Sequence, residues 1–301
     1  MENIIIVGAA GFLGTKITNS LIEHKLICVD IVAKPTNLTL NNESRWLKAD
    51  YTKTIDLDAF FENININNTT LIHLATTQFP LEAELNIRKD IQDNLLATIM
   101  FFEKFYFHGG KKIIFSSSAG AMYVGKNNKN KENEVNPYSI YACTKLSVES
   151  YLRAMASKYN KEAISLRIAN PFDLDNLDTQ RHGVVPLFYN MIKEGGLISL
   201  HEANIRKDFV SIKDVVNAFK KSINYRGKVS TFNISTNTSI SLEEIIALFE
   251  KKLKLEANVN YINKKYPMMT YGAICNDAAS QELKWTPTLL LNSAINELPT
   301  E

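Results

Sequence analysis

The sequence predicts an α/β fold: a doubly wound parallel sheet (Rossmann type) carrying a smaller C-terminal lobe. Three observations predict it. A short apolar, β-branched run at 3–7 ends in a glycine-rich turn and leads into an amphipathic stretch reaching about residue 24. Strand-length apolar runs then alternate with helix-length runs, which is the rhythm of βαβ winding. Finally, each of six strand runs is followed by small or polar residues, and ligands in such sheets bind beyond the carboxyl ends of the strands.

The elements follow in order. Strands are expected at 3–7, 26–29, 45–49, 70–74, 112–116 and 163–168. Helices are expected between them, at about 54–62, 87–107 and 138–159. After Pro171 the rhythm changes, with helices expected at 184–194, 212–224, 241–254 and 289–297 and extended pieces near 208–211, 231–235 and 258–262. The domain reading is therefore 1–171 for the sheet domain and 172–301 for the smaller lobe, with 206–224 a candidate to return to the main sheet.

The first turn reads Gly8-Ala9-Ala10-Gly11-Phe12-Leu13-Gly14. Gly8 permits a tight turn, Gly11 lets backbone approach a pyrophosphate, and Gly14 lets the helix close on the strand, whose N-terminus then faces the phosphates. The second strand ends in Asp30, 30 − 14 = 16 residues past the last glycine and close to the spacing of about 20 for a ribose-binding acid. Such a carboxylate accepts from ribose hydroxyls and repels a 2′-phosphate, so the expected cofactor is NAD rather than NADP.

Tyr141 and Lys145 are four residues apart on a predicted helix and share a face. An ammonium beside a tyrosine favours phenolate, so the Tyr141 pKa is expected to fall from about 10 toward neutrality. Such a group can exchange a proton with a sugar hydroxyl or ketone. Ser116-Ser117-Ser118, at the end of another strand, supplies hydroxyls for the same oxygen.

Composition narrows the class. The chain of 301 residues is 45% hydrophobic, enough for a large domain and a lobe, and its net charge of +2 gives no reason to propose nucleic acid or a membrane surface. The N-terminal apolar run is too short for a signal peptide or a span. Three scattered cysteines form neither a disulfide framework nor a metal pattern, so no metal and a cytoplasmic location are expected.

Together these residues resemble the extended short-chain dehydrogenase/reductase superfamily, in its nucleotide-sugar epimerase/dehydratase branch. The carriers are Gly8, Gly11 and Gly14, Asp30, Asp50, His73-Leu74-Ala75, Asn94, Ser116 to Ser118, Tyr141 with Lys145, Arg167 to Pro171, and Lys207-Asp208-Phe209-Val210 with Asp214-Val215. The resemblance implies catalysis by Ser118, Tyr141 and Lys145, with Ser117 the alternative serine. It implies a cofactor site of Gly8, Gly11, Phe12, Leu13, Gly14, Asp30, Asp50, Tyr51, Leu74, Ala75, Asn94, Ser116, Tyr141, Lys145 and Pro171. For a nucleotide-sugar substrate it implies Ser118, Tyr141, Asn170, Val184, Arg206 and Lys207. Arg181 and His182 fall in the stretch where relatives carry a substrate loop, and His73 reads as a packed, hydrogen-bonded histidine. Ala119-Gly120 stands where 4,6-dehydratases carry an acid pair. Two activities share the remaining residues: a 4-epimerase passing through a transient 4-keto sugar, placed first, and a nucleotide-linked 4-keto-sugar reductase. A catalytically silent dinucleotide-sensing protein of the same fold is the third. Apolar faces on 87–107 and 138–159, with the resemblance, imply a homodimer.

Overall fold

The computed structural model describes residues 2–120, 122–123, 135–175, 177, 183–200, 205–228, 230–262 and 272–299, with backbone alone at 54–57. Strands β1 (Asn3–Val7), β2 (Lys25–Asp30), β3 (Arg45–Lys48), β4 (Thr70–His73), β5 (Lys112–Ser118) and β6 (Glu162–Ile168) fall where the apolar runs predict them. Helices α1 (Phe12–Ser20), α2 (Thr54–Asn63), α3 (Pro80–Leu85), α4 (Ile87–Asp90), α5 (Ala97–Phe107) and α6 (Ile140–Tyr159) connect them. Beyond β7 (Asn170–Phe172) come α7 (Val184–Glu194), β8 (Leu197–Leu200), β9 (Arg206–Lys207), β10 (Phe209–Ser211), α8 (Ile212–Asn224) and β11 (Thr231–Ile234). The chain continues through β12 (Ile240–Ser241), α9 (Leu242–Leu253), β13 (Asn258–Tyr261), α10 (Asp277–Gln281) and α11 (Leu291–Glu297).

The main sheet has seven strands in the order β11-β6-β5-β4-β1-β2-β3, and the pairings from β5 across to β3 are parallel. The order reverses between β1 and β4, the switch point at which doubly wound sheets open a crevice. β1 and β4 are buried nearly throughout, because helices cover both faces.

The chain divides into two compact units. The first comprises 1–118, 137–167 and 218–232; the second comprises 119–136, 168–217 and 233–301. In the first, Phe101, Phe102 and Phe105 of α5 pack with Ile5, Leu71, Ile113 and Phe115 from the sheet and Leu152 from α6. Lys112, buried at the start of β5, fastens the returning stretch: its ammonium donates to the carbonyls of Ser222, Ile223 and Tyr225 at the end of α8. A cation at those unpaired carbonyls satisfies the helix terminus and its dipole. In the second unit, Phe188, Ile192, Ile245, Phe249 and Ile295 from α7, α9 and α11 form a separate core.

Two details depart from expectation. The stretch 87–107 is not one regular helix: Ile91–Leu96, between α4 and α5, is π-helical. And the seventh strand of the main sheet is Thr231–Ile234, whereas β9 and β10 pair with β12 and β7.

Candidate active site

At the switch point the glycines do what their spacing asks. Gly8 has φ +85°, and a Cβ there would stand 2.7 Å from the Ala75 nitrogen, so the turn after β1 lies against the end of β4. A Cβ on Gly14 would lie 2.1 Å from the Gly8 carbonyl oxygen, so helix and turn approach as closely as backbone allows. Gly11 caps α1, with no capping side chain and no acidic residue in the first turn, so nothing negative competes with an anion there. Phe12 and Leu13, half-buried, open the helix. At the end of β2, Asp30 accepts from the Ala10 N–H at 2.8 Å and from Val32 N–H at 3.3 Å, which fixes its carboxylate beside the glycine turn. This cradle fits a dinucleotide: space that only glycine leaves, a helix terminus for phosphates, and an acid for ribose hydroxyls.

The neighbouring strand ends contribute differently. Asp50 accepts from the Thr52 hydroxyl at 2.7 Å; burial pushes its carboxyl up, but Thr52 and Lys53 outweigh that and hold it below the ordinary range. Tyr51 is not a surface contact: its ring is buried edge-on against His73 and Phe101, and its hydroxyl donates to the Asp93 carbonyl, leaving only its backbone for a ligand. Leu74 donates from its backbone N–H to Val7, which extends the sheet pairing to Ala75. Asn94 accepts from the Thr77 N–H at 2.8 Å and so holds the loop after β4 from below. His73 is packed but, contrary to expectation, neither ring nitrogen finds a partner among the described residues. Burial pulls its pKa down to about 3, so it stays neutral.

The Ser139 hydroxyl caps α6 by accepting from the Ala142 N–H. One turn of that helix then presents Tyr141 and Lys145 toward β5. The Ser118 hydroxyl hydrogen-bonds the Tyr141 phenol, whereas Ser117 is buried and donates to Glu149 at 2.5 Å. Lys145, buried, donates to the Ser116 carbonyl at 3.1 Å, with its ammonium 5.6 Å from the Tyr141 ring centroid.

The expected fall of the Tyr141 pKa does not occur. Burial, and then the charge of Asp90, push the phenol up to about 12 against the Ser118 hydrogen bond. The Lys145 ammonium does not outweigh this; burial draws its own pKa down to about 8, against the charges of Asp90 and Glu149. Desolvation disfavours both charged forms, and it outweighs the attraction that spacing alone suggests. At neutral pH the Tyr141 phenol keeps its proton.

In the second unit, Asn170 on β7 donates to the Asp208 carbonyl at 2.8 Å, and Pro171 pairs with Val210. Val184 opens α7 after Gly183 at φ +91°. The two cations of β9 diverge, as successive strand residues do. Arg206 forks onto Glu244 at 2.7 and 3.2 Å and donates to the Ser239 carbonyl, with the two charged side chains 43% and 50% exposed. Lys207 has no partner among the described residues; burial draws its pKa down, and it lines a cavity of about 510 Å³ with Phe209, Thr238, Ser239, Leu248 and Asn292. Arg181 and His182 lie outside the described residues.

Three buried polar residues were not singled out from the sequence: Asp90, Glu149 and Thr144. The signal available was a charge within an apolar helical run, at Asp90 four residues before Asn94 and at Glu149 four after Lys145. Arg167 on β6 meets Glu149 through Nε at 3.0 and 3.1 Å and Nη2 at 2.7 Å.

A glycine cradle at the switch point, with a Ser–Tyr–Lys group at the end of β5 and on α6, defines the extended short-chain dehydrogenase/reductase class of enzyme. Residues 4–235 match the model of the NAD dependent epimerase/dehydratase family, and the chain belongs to that family. Along 99% of its length, and 96% of the relative's, it is 33% identical to the dTDP-4-dehydro-6-deoxyglucose reductase of Escherichia coli. It is 25% identical to the UDP-glucose 4-epimerase of Thermotoga maritima, solved with UDP-glucose, at a TM-score of 0.85 over 97% of this chain and 96% of that one. The Thermus thermophilus UDP-glucose 4-epimerase, solved with NAD, shares the fold at 20% identity and a TM-score of 0.86, covering 97% and 96%. NAD is the cofactor of the family, and the cradle of this chain fits it. Among the described residues no helix is long and apolar enough to cross a membrane.

Proposed function

We propose that this enzyme is a nucleotide-linked 4-keto-sugar reductase acting on a dTDP-4-keto-6-deoxyhexose. The observation that carries the reading is the end-to-end, 33% likeness to the dTDP-4-dehydro-6-deoxyglucose reductase.

When bound, reduced NAD supplies the hydride that adds to the C4 carbonyl carbon. Tyr141 delivers its phenolic proton to O4 as the C=O π bond breaks, and Ser118 holds that oxygen and the phenol in line. Lys145 binds the nicotinamide ribose. Asp30 takes the adenosine ribose, and its negative charge disfavours a 2′-phosphate. Asn170 and Lys207 are assigned to the substrate, Lys207 to its diphosphate; a lysine does this as a point charge.

The second reading is a UDP-sugar 4-epimerase, favoured by the 25% likeness to such an enzyme and by the carboxylate of Asp30, which suits a retained NAD. Supplying NADH with dTDP-4-keto-6-deoxyglucose separates the two. Loss of NADH absorbance matched by one reduced sugar in the proton NMR spectrum supports the reductase. Conversion of UDP-glucose to its C4 epimer without added cofactor, with the ketone left untouched, refutes it.

A homodimer is part of the same reading. Leu96 and Met100, at the end of the π-helical segment and on α5, and Tyr151 on the adjoining α6 are exposed, and the occupant proposed for this face is a second copy of the chain. Sedimentation of Leu96→Glu against the unaltered chain tests it; identical monomer masses for both refute it.

A further inference from the structure

We propose that Asp90 is a positioning residue of this reaction: its carboxylate ties the α6 turn that carries Tyr141 and Lys145 to the π-helical segment and keeps a counter-charge inside the packed site. The inference rests on the reading of Tyr141 and Lys145 above, but nothing in the glycine, serine or tyrosine pattern points to Asp90.

Asp90 is fully buried at the end of α4. One carboxylate oxygen accepts from the Thr144 hydroxyl at 2.5 Å and the other from the Asn94 amide at 2.7 Å. Thr144 is three residues after Tyr141, on its side of the helix, and immediately precedes Lys145 in the same turn. Asn94 in turn takes the N–H of Thr77, in the loop that follows β4. A continuous hydrogen-bonded chain therefore runs from that loop through the π-helical segment to the catalytic turn. π-helical turns are rare and are frequent at functional sites. No cation lies within ion-pair reach of Asp90 among the described residues, so its charge is set against the ammonium of Lys145 across the site.

The other charged and titratable groups around this turn have their own partners or are neutral. Glu149, on the same helix, is paired with Arg167 from β6. His73 from β4 is neutral, Tyr51 is held protonated at about 12, and Asp93 is paired with Lys89. Removing the Asp90 charge therefore leaves Lys145 facing burial with less opposing it.

The test is Asp90→Asn, which preserves shape and one acceptor. NADH affinity and kcat/KM are measured from pH 6 to pH 10 with dTDP-4-keto-6-deoxyglucose. In the unaltered enzyme both fall as pH rises through about 8, where Lys145 loses its proton. Asp90 raises that pKa, so the Asn variant is expected to inflect about one unit lower, and its kcat/KM at pH 7 to drop about twofold. A variant with an unshifted inflection overturns the proposal, even if its melting temperature falls. If Asp90→Asn does not fold, Thr144→Val and Thr144→Ser decide: loss of kcat in the valine variant with recovery in the serine variant supports the clamp, and unaltered kcat in the valine variant overturns it. Tyr141→Phe is run in parallel. If it retains full activity the acid assignment itself fails; if it is inactive while Asp90→Asn is unshifted, only the role of Asp90 fails.

Discussion

The ion pair between Glu149 and Arg167 is the perturbation from which most can be learned about how the catalytic helix is held. Both side chains are almost fully buried, 3% and 5% exposed, and the fork has three close N–O contacts. Glu149 also receives the Ser117 hydroxyl, next in the chain to Ser118. It thus joins α6 to both β5 and β6, one turn beyond Lys145. Glu149→Gln keeps the volume but leaves the Arg167 guanidinium buried without a counter-charge. Breaking one side of a buried pair costs about 3–5 kcal/mol. At roughly 2–4 °C per kcal/mol for a chain of this size, the melting temperature should fall by about 8–16 °C for a cost near 4 kcal/mol. Urea unfolding at pH 7, with ΔG extrapolated to water, measures the cost directly. The double variant Glu149→Leu with Arg167→Met removes both charges and should recover most of the loss. A single variant within about 1 kcal/mol of the unaltered chain would refute the claim that this pair fixes the helix, and the placement of Ser118 and Lys145 would need another cause.

Gly14→Ala puts a methyl group 2.1 Å from the Gly8 carbonyl oxygen, so it should weaken NAD binding at least about tenfold and lower the melting temperature; unaltered affinity by calorimetry refutes the close-approach argument. Lys207→Met should raise KM for the nucleotide sugar roughly tenfold or more with kcat within about threefold, as expected for a charge-assisted contact made equally before and during the reaction; an unchanged KM refutes its assignment to the diphosphate. The pH profile carries its own sign. Lys145 serves in its protonated form and its pKa is depressed to about 8, so kcat/KM holds below pH 8 and falls about tenfold per unit above it. Tyr141, near 12, adds no limb in that window, and a second alkaline inflection between pH 8 and pH 10 would contradict its elevation.

Much of this site was legible because its signals are local. A glycine that must yield 2.1 Å, a carboxylate at a strand end and a tyrosine four residues before a lysine are all short-range patterns. What escaped is non-local. Asp90 and Glu149 read as charges on amphipathic helices, which usually face water; only the packing of α4 on α6, and of α6 on β5 and β6, turns them inward. The engagement of Arg206 depends on a carboxylate 38 residues away, at Glu244. The sign of the Tyr141 shift was missed for the same reason. Spacing reports which groups are neighbours, but not how much water the fold removes from them, and here that removal decides. The same burial, with the charge of Asp90 behind it, holds the Tyr141 phenol protonated at neutral pH, and neither the burial nor Asp90 can be read from the spacing of Tyr141 and Lys145.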